Sequence, residues 1–118
     1  MTEKKAPNDE CKKQVMAVHD AMDLLSGKWK ISIIAALCYH NKRRFSDILI
    51  DVKGISNKML SKELKDLEIN QLVKRTVFDT HPVTVEYTLT EYGQKLQVMI
   101  GNLSDWGIEH RKKILGKK

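Results

Sequence analysis

The chain has 118 residues, 42% of them apolar and 31% charged. That balance suits one soluble globular domain with a modest core, and no run approaches the roughly 18 apolar residues that cross a bilayer, which excludes an integral membrane protein. A net charge of +6 and a sequence pI near 9.3 favour a polyanionic partner, which charge alone leaves open among DNA, RNA and an anionic membrane surface.

The opening MTEKKAPNDECKK has basic residues with no apolar run behind them, so it reads as neither a signal peptide nor an anchor, and cytoplasmic residence is expected. Residues 1–8 are expected to be a flexible lead. Around Pro7, Asn8, Asp9 and Glu10 a cap residue and acidic side chains mark a helix start. That helix is expected to run to about Leu25, with Val15, Val18 and Met22 recurring at helical spacing as one narrow apolar stripe. Gly27 separates it from KWKISIIAALCYH, whose apolar residues spread around most of the helical circumference, the pattern of a buried helix.

RRFSDILIDVKGIS reads as a short helix begun at Ser46 and ended by the turn at Gly54, after which Ser56 is placed to cap another. Two helices joined by a Gly-containing turn make a helix-turn-helix candidate. In the second of them, Leu60, Leu64 and Leu67 share one side, while Lys58, Lys62 and Lys65 stack on the opposite one. Like charges so spaced cost helix stability unless an anion offsets them. VKRTVFD, the turn signal THPV and the alternating TVEYTL then predict a β-hairpin. Thr90 is expected to cap one last long helix to about Leu115, with Tyr92, Leu96, Met99, Leu103 and Trp106 along one side. There is no Gly/Ser linker, internal repeat or low-complexity tract, so residues 1–118 are expected to form a single domain.

The blocks LLSGKWKISIIAAL, RRFSDI, GISNKMLSKELKDLE, LVKRTVFD and PVTVEYTLTEYGQKL, followed by the late WG at Trp106 and Gly107, resemble the HxlR-type transcriptional regulators, which are MarR-like. They occur in the family's order and spacing from about Cys11 to Arg111. The resemblance implies a mainly α winged helix-turn-helix with a small β-hairpin wing, made dimeric by its terminal helices and bound to palindromic operator DNA. This chain has Thr84 where many members carry a basic residue just before the VEY of the second wing strand. It also has Gln71 where members commonly have the Gly that ends the recognition helix, and Asn70 is expected to take the left-handed cap instead.

On this reading the missing anion is the DNA backbone. Ser56, Asn57, Met59 and Ser61 are the candidate base readers, since Asn can pair with adenine and Met can touch a thymine methyl. Lys58, Lys62 and Lys65 are the phosphate candidates, with Lys28, Arg43 and Arg44 beside the motif and Thr80, His81 and Thr84 on the wing. Val15, Val18, Met22, Leu96, Met99, Leu103 and Trp106 are expected to form the dimer interface, because so small a domain cannot cover both stripes. For any single polar residue a plain solvated surface remains the alternative. For the chain it is an RNA-binding or general polyanion-binding domain without operator specificity.

Enzyme readings find no support in the motifs. There is no Gly-rich phosphate loop and no Ser or Cys paired with a positioned His, and His19, His40, His81 and His110 are scattered. No cofactor is expected, and Cys38 with His40 falls short of a metal site. Cys11 sits near the start of the first helix, flanked by Lys12 and Lys13, where amides and dipole favour a thiolate. The resemblance implies that a cysteine near this place can sense oxidants or electrophiles such as quinones. Two readings therefore stand for Cys11, a sensor or an ordinary thiol, whereas Cys38 in the buried helix reads as inert packing.

Overall fold

The computed structural model describes residues 7–116. Helix α1 (Pro7–Leu24) already runs at the first of these, and the first six residues of the expected lead lie outside the described residues. Next come α2 (Lys30–His40), a two-residue strand β1 (Lys42–Arg43), α3 (Phe45–Asp51) and α4 (Asn57–Ile69). The chain finishes with β2 (Val73–Phe78), β3 (Thr84–Leu89), a short α5 (Glu91–Gln94) and α6 (Leu96–Leu115). Among the described residues no helix is long and apolar enough to cross a membrane.

The fold is mainly helical, as expected, but the hairpin is part of a three-stranded antiparallel sheet in the order β1-β3-β2. Lys42 faces Thr88 and Arg43 faces Tyr87 on one side of β3, while β2 pairs along the other side from Val73↔Leu89 to Phe78↔Thr84. The core forms where the apolar sides of α2, α3 and α4 meet the base of this sheet: Ile33, Ile34, Leu37, Ile48, Leu60, Leu64, Leu67, Leu72 and Val73 are each at most 2% exposed. Each such side chain contributes about 1.5–3 kcal/mol through burial. Helix α2 buries one side rather than its whole circumference, and Tyr39 near its end is 83% exposed.

Two termini differ from expectation. Helix α3 starts at Phe45, one residue before the expected Ser46, because the Asp47 carboxylate accepts from the Arg44 amide at 3.1 Å and fixes Arg44 as the cap. At the end of α4 the left-handed residue is Gln71, at φ 64°, rather than Asn70, at φ −84°. The Leu72 amide reaches back to the Leu67 carbonyl at 2.9 Å and the Gln71 amide to that of Glu68 at 3.0 Å, with Leu67 and Leu72 both buried. This is a Schellman ending, in which the left-handed position follows the cap. Asn70 instead donates its side-chain amide to the Asp66 carbonyl at 2.9 Å.

The expected long C-terminal helix is broken into α5 and α6 at Lys95. Thr90 caps α5 by accepting from the Gly93 amide at 2.8 Å, and its hydroxyl donates to the Gln71 carbonyl at 2.7 Å. Its own amide donates to the Leu72 carbonyl at 3.0 Å. Gly93 is required by this close approach, since a Cβ there would lie 2.2 Å from the Leu72 carbonyl oxygen. The end of α4 and the start of the C-terminal helices are thus one hydrogen-bonded unit.

Candidate nucleic-acid interface

Helix α4 is amphipathic, and its sequence sorts its contacts. Leu60, Leu64 and Leu67 enter the core, which leaves Asn57, Lys58, Ser61, Lys62 and Lys65 exposed along the outer side. Ser56 caps the helix by accepting from the Met59 amide at 3.0 Å, so its oxygen is engaged while its hydroxyl proton stays available. Met59 is half-buried and packs on the core, so less of it than of its exposed neighbours faces outward. A helix so disposed can offer its first turns to base edges in a major groove and its lysines to the flanking phosphates.

The flanking cations divide. Lys28 is exposed, its ammonium 4.9 Å from the centre of the Trp29 ring. That ring packs beside Gly54, whose φ of +91° makes the turn before α4, so Lys28 stands next to the helix-turn-helix corner. Arg44 is exposed. Arg43 has another partner: its Nε and Nη2 donate to Asp51 Oδ2 and Oδ1, each at 2.8 Å. The Arg43 hydrogen bond and charge hold the Asp51 carboxyl below its ordinary value against the opposing effect of burial. Arg43 is therefore a brace between β1 and α3, and its guanidinium is largely committed before any phosphate arrives.

At the wing, Thr80 donates to the Pro82 carbonyl at 2.7 Å and its oxygen lies 3.1 Å from the Thr84 hydroxyl. Both hydroxyls are occupied in shaping the turn, while His81 is exposed. No Lys or Arg occurs between Arg75 and Lys95, and the exposed Asp79 sits at the tip.

Behind α4 lies a cluster that sequence reasoning missed. Lys30, at the start of α2, donates to Glu63 Oε1 at 2.5 Å and lies 3.5 Å from Asp66 Oδ2. The Lys30 and Glu63 side chains are only 11% and 9% exposed. Desolvation pulls the Lys30 pKa down, but the hydrogen bond and charge of Glu63, with those of Asp66, outweigh it and raise the value above normal. The available signal was Glu63 itself, a carboxylate on the leucine side of an otherwise sorted helix.

The helices expected to join two subunits are open. All described side chains of α1 through Asp23 are exposed, and Val15, Val18, Met22, Leu103 and Trp106 are each more than half exposed. Leu96 and Met99, from the same expected stripe, instead pack half-buried against the chain's own core. Cys11 is exposed, and Cys38 is half-buried with its thiol pKa raised by burial. In the helix from Pro7, Cys11 is the fifth residue, one turn further in than the sequence suggests and past the amides left free at a helix start. Among the described residues no cluster of side chains could hold a metal ion.

The profile of the HxlR-like helix-turn-helix family matches residues 24–114. The HTH-type transcriptional regulator YtcD of Bacillus subtilis is 35% identical over 107 residues, 91% of this chain and 84% of its own. YodB of the same organism, also an HTH-type transcriptional regulator, is 39% identical over 75% of this chain and 79% of its own. The solved structure of reduced YodB superposes with a TM-score of 0.69, at 40% identity over 75% of this chain and 85% of that one. The reduced form of the redox regulator HypR does so with a TM-score of 0.72, at 32% identity over 85% and 98% of the two chains.

Proposed function

The chain belongs to the HxlR-like helix-turn-helix family, and from that premise we propose that it is a cytoplasmic, homodimeric transcriptional regulator that binds palindromic double-stranded operator DNA. The observation that carries this reading is the outer side of α4, where Ser56, Asn57 and Ser61 stand beside Lys58, Lys62 and Lys65 while the leucines hold the opposite side in the core. Asn57 and the serine hydroxyls read base edges; the three lysines, with Lys28 and Arg44, grip phosphates. Neutralising phosphates releases condensed counterions, so affinity falls steeply with salt.

The exposed apolar residues of α1 and α6 supply the dimer contact. Two-fold symmetry then sets the recognition helices about 34 Å apart, one turn of duplex, and the operator mirrors that symmetry. Cys11, exposed on the helix that joins the subunits, is the group through which an oxidant or electrophile would alter the DNA-binding geometry. Its support is that exposure, together with relatives studied in a reduced form and, for YodB, after diamide treatment. Cys38, half-buried and harder to ionise, takes no part.

Selection of sites from a random duplex pool tests the reading in one step, because it reports specificity, half-site spacing and symmetry together. An enriched palindrome with half-sites one turn apart is expected. A pool that stays random, or equal binding to RNA and random duplex, would replace the operator reading with general polyanion binding.

A further inference from the structure

Helix α4 rests on the core through leucines, whose attraction is non-directional and sets the roll about the helix axis less sharply than a hydrogen bond of fixed donor and acceptor geometry. A change in that roll would shift every outward side chain relative to a base edge. One directional contact crosses this interface close to the recognition surface. Lys30 Nζ donates to Glu63 Oε1 at 2.5 Å, from a lysine 33 residues earlier in the chain and almost wholly enclosed. The same ammonium is 3.5 Å from Asp66, whose carboxylate lies 4.0 Å from Lys62 on the outer side. Inner brace and outer cation thus share one carboxylate.

We propose that the buried Lys30–Glu63 pair is a positioning device, which sets the roll of the recognition helix and thereby its sequence discrimination, rather than a device for holding the fold together. This rests on the reading of α4 as the base-reading helix. A buried ion pair is poor evidence of stability, because desolvation cancels much of its attraction and an apolar pair of like volume often serves as well or better. Its fixed donor and acceptor geometry has no apolar equivalent. Removing one partner alone leaves a buried charge unpaired and destabilises the protein, so single variants confuse the two roles.

The decisive variant is therefore the double substitution Lys30→Met, Glu63→Met, which keeps volume and net charge. Net charge matters because it leaves non-specific, salt-dependent affinity for random duplex in place. Melting temperature and affinity for the selected operator and for random duplex are measured together. The double variant is expected to melt at or above the wild-type temperature and to bind random duplex equally. Its operator-to-random ratio should fall about tenfold, within the range set by one well-placed base contact. Glu63→Gln, which keeps the shape and an acceptor for Lys30, should retain more of the ratio than the double variant. An unchanged ratio in a folded double variant overturns the proposal, and so does an unfolded one, which would make the pair a requirement of the fold. If the wild type itself does not discriminate operator from random duplex, it is the operator reading that fails.

Discussion

The Arg43 guanidinium clasps the Asp51 carboxylate through two parallel hydrogen bonds, tying β1 to the last residue of α3. Such a fork-on-fork pair is stronger and more directional than a single ion pair. Its hydrogen bond, opposed by burial, leaves the folded pKa of Asp51 depressed. The sign follows: the stabilisation is complete above the ordinary carboxylate value of about 4 and disappears as pH falls through the lower folded value. Thermal melts of wild type and Asp51→Asn should therefore differ at neutral pH and converge under acid. A gap that stays constant down to pH 2 would show that the pair adds nothing through ionisation.

Gln71 occupies a left-handed conformation that glycine adopts at little cost. Gln71→Gly is expected to stabilise the fold by about 0.5–1 kcal/mol, read as an increase in denaturant midpoint at constant m. Gly93→Ala should act in the opposite sense, because its new methyl meets backbone rather than a movable side chain. A loss of about 1–3 kcal/mol is expected by the same measurement.

On the DNA side, Lys58→Ala or Lys62→Ala should weaken binding almost uniformly across sequences and flatten the salt dependence by about 0.9 per lost phosphate contact. Asn57→Ala should leave the salt slope alone and relax preference at one base pair, at a cost of about 1–3 kcal/mol. Lysine variants with unaltered slopes would remove α4 from the backbone contacts.

Leu103→Glu places a charge on the open stripe of α6 without touching the chain's own core. Sedimentation at micromolar concentration should show a dimer for wild type and a monomer for this variant, with a matching loss of two-site operator binding. A wild-type monomer bound to a single half-site would refute the dimer.

Quinone or oxidant treatment should change operator affinity in the wild type and leave Cys11→Ser unaffected, while Cys38→Ser responds like the wild type. An equal response in wild type and Cys11→Ser would move sensing away from that thiol.

Much of this fold is written in local periodicity. Leu60, Leu64 and Leu67 announce the buried side of α4, Val85, Tyr87 and Leu89 announce the hairpin, and the spacing of family blocks joins them. Much of what escaped notice depends on pairing between elements. Strand β1 is only Lys42 and Arg43, and its existence depends on Thr88 and Tyr87 far along the chain. Asp51 offers no local sign of being the partner of Arg43, so two adjacent arginines that look alike in sequence take different roles. Met59 lies at the edge of the outer side on a helical projection, and only the packing of the assembled core draws it inward. The same holds for Lys30, whose place at the head of an apolar helix suggests solvent until Glu63 is seen opposite.

Thr90 joins the Gln71 and Leu72 carbonyls to the first turn of α5, and α6 continues from there for 20 residues, a rod of about 30 Å. Geometrically this is a lever with its fulcrum at the end of α4. A tilt of about 5° at Thr90 swings the far tip of that rod by about 2.6 Å. In the proposed dimer, a displacement of a few ångströms where two such rods meet would become a small rotation of each α4.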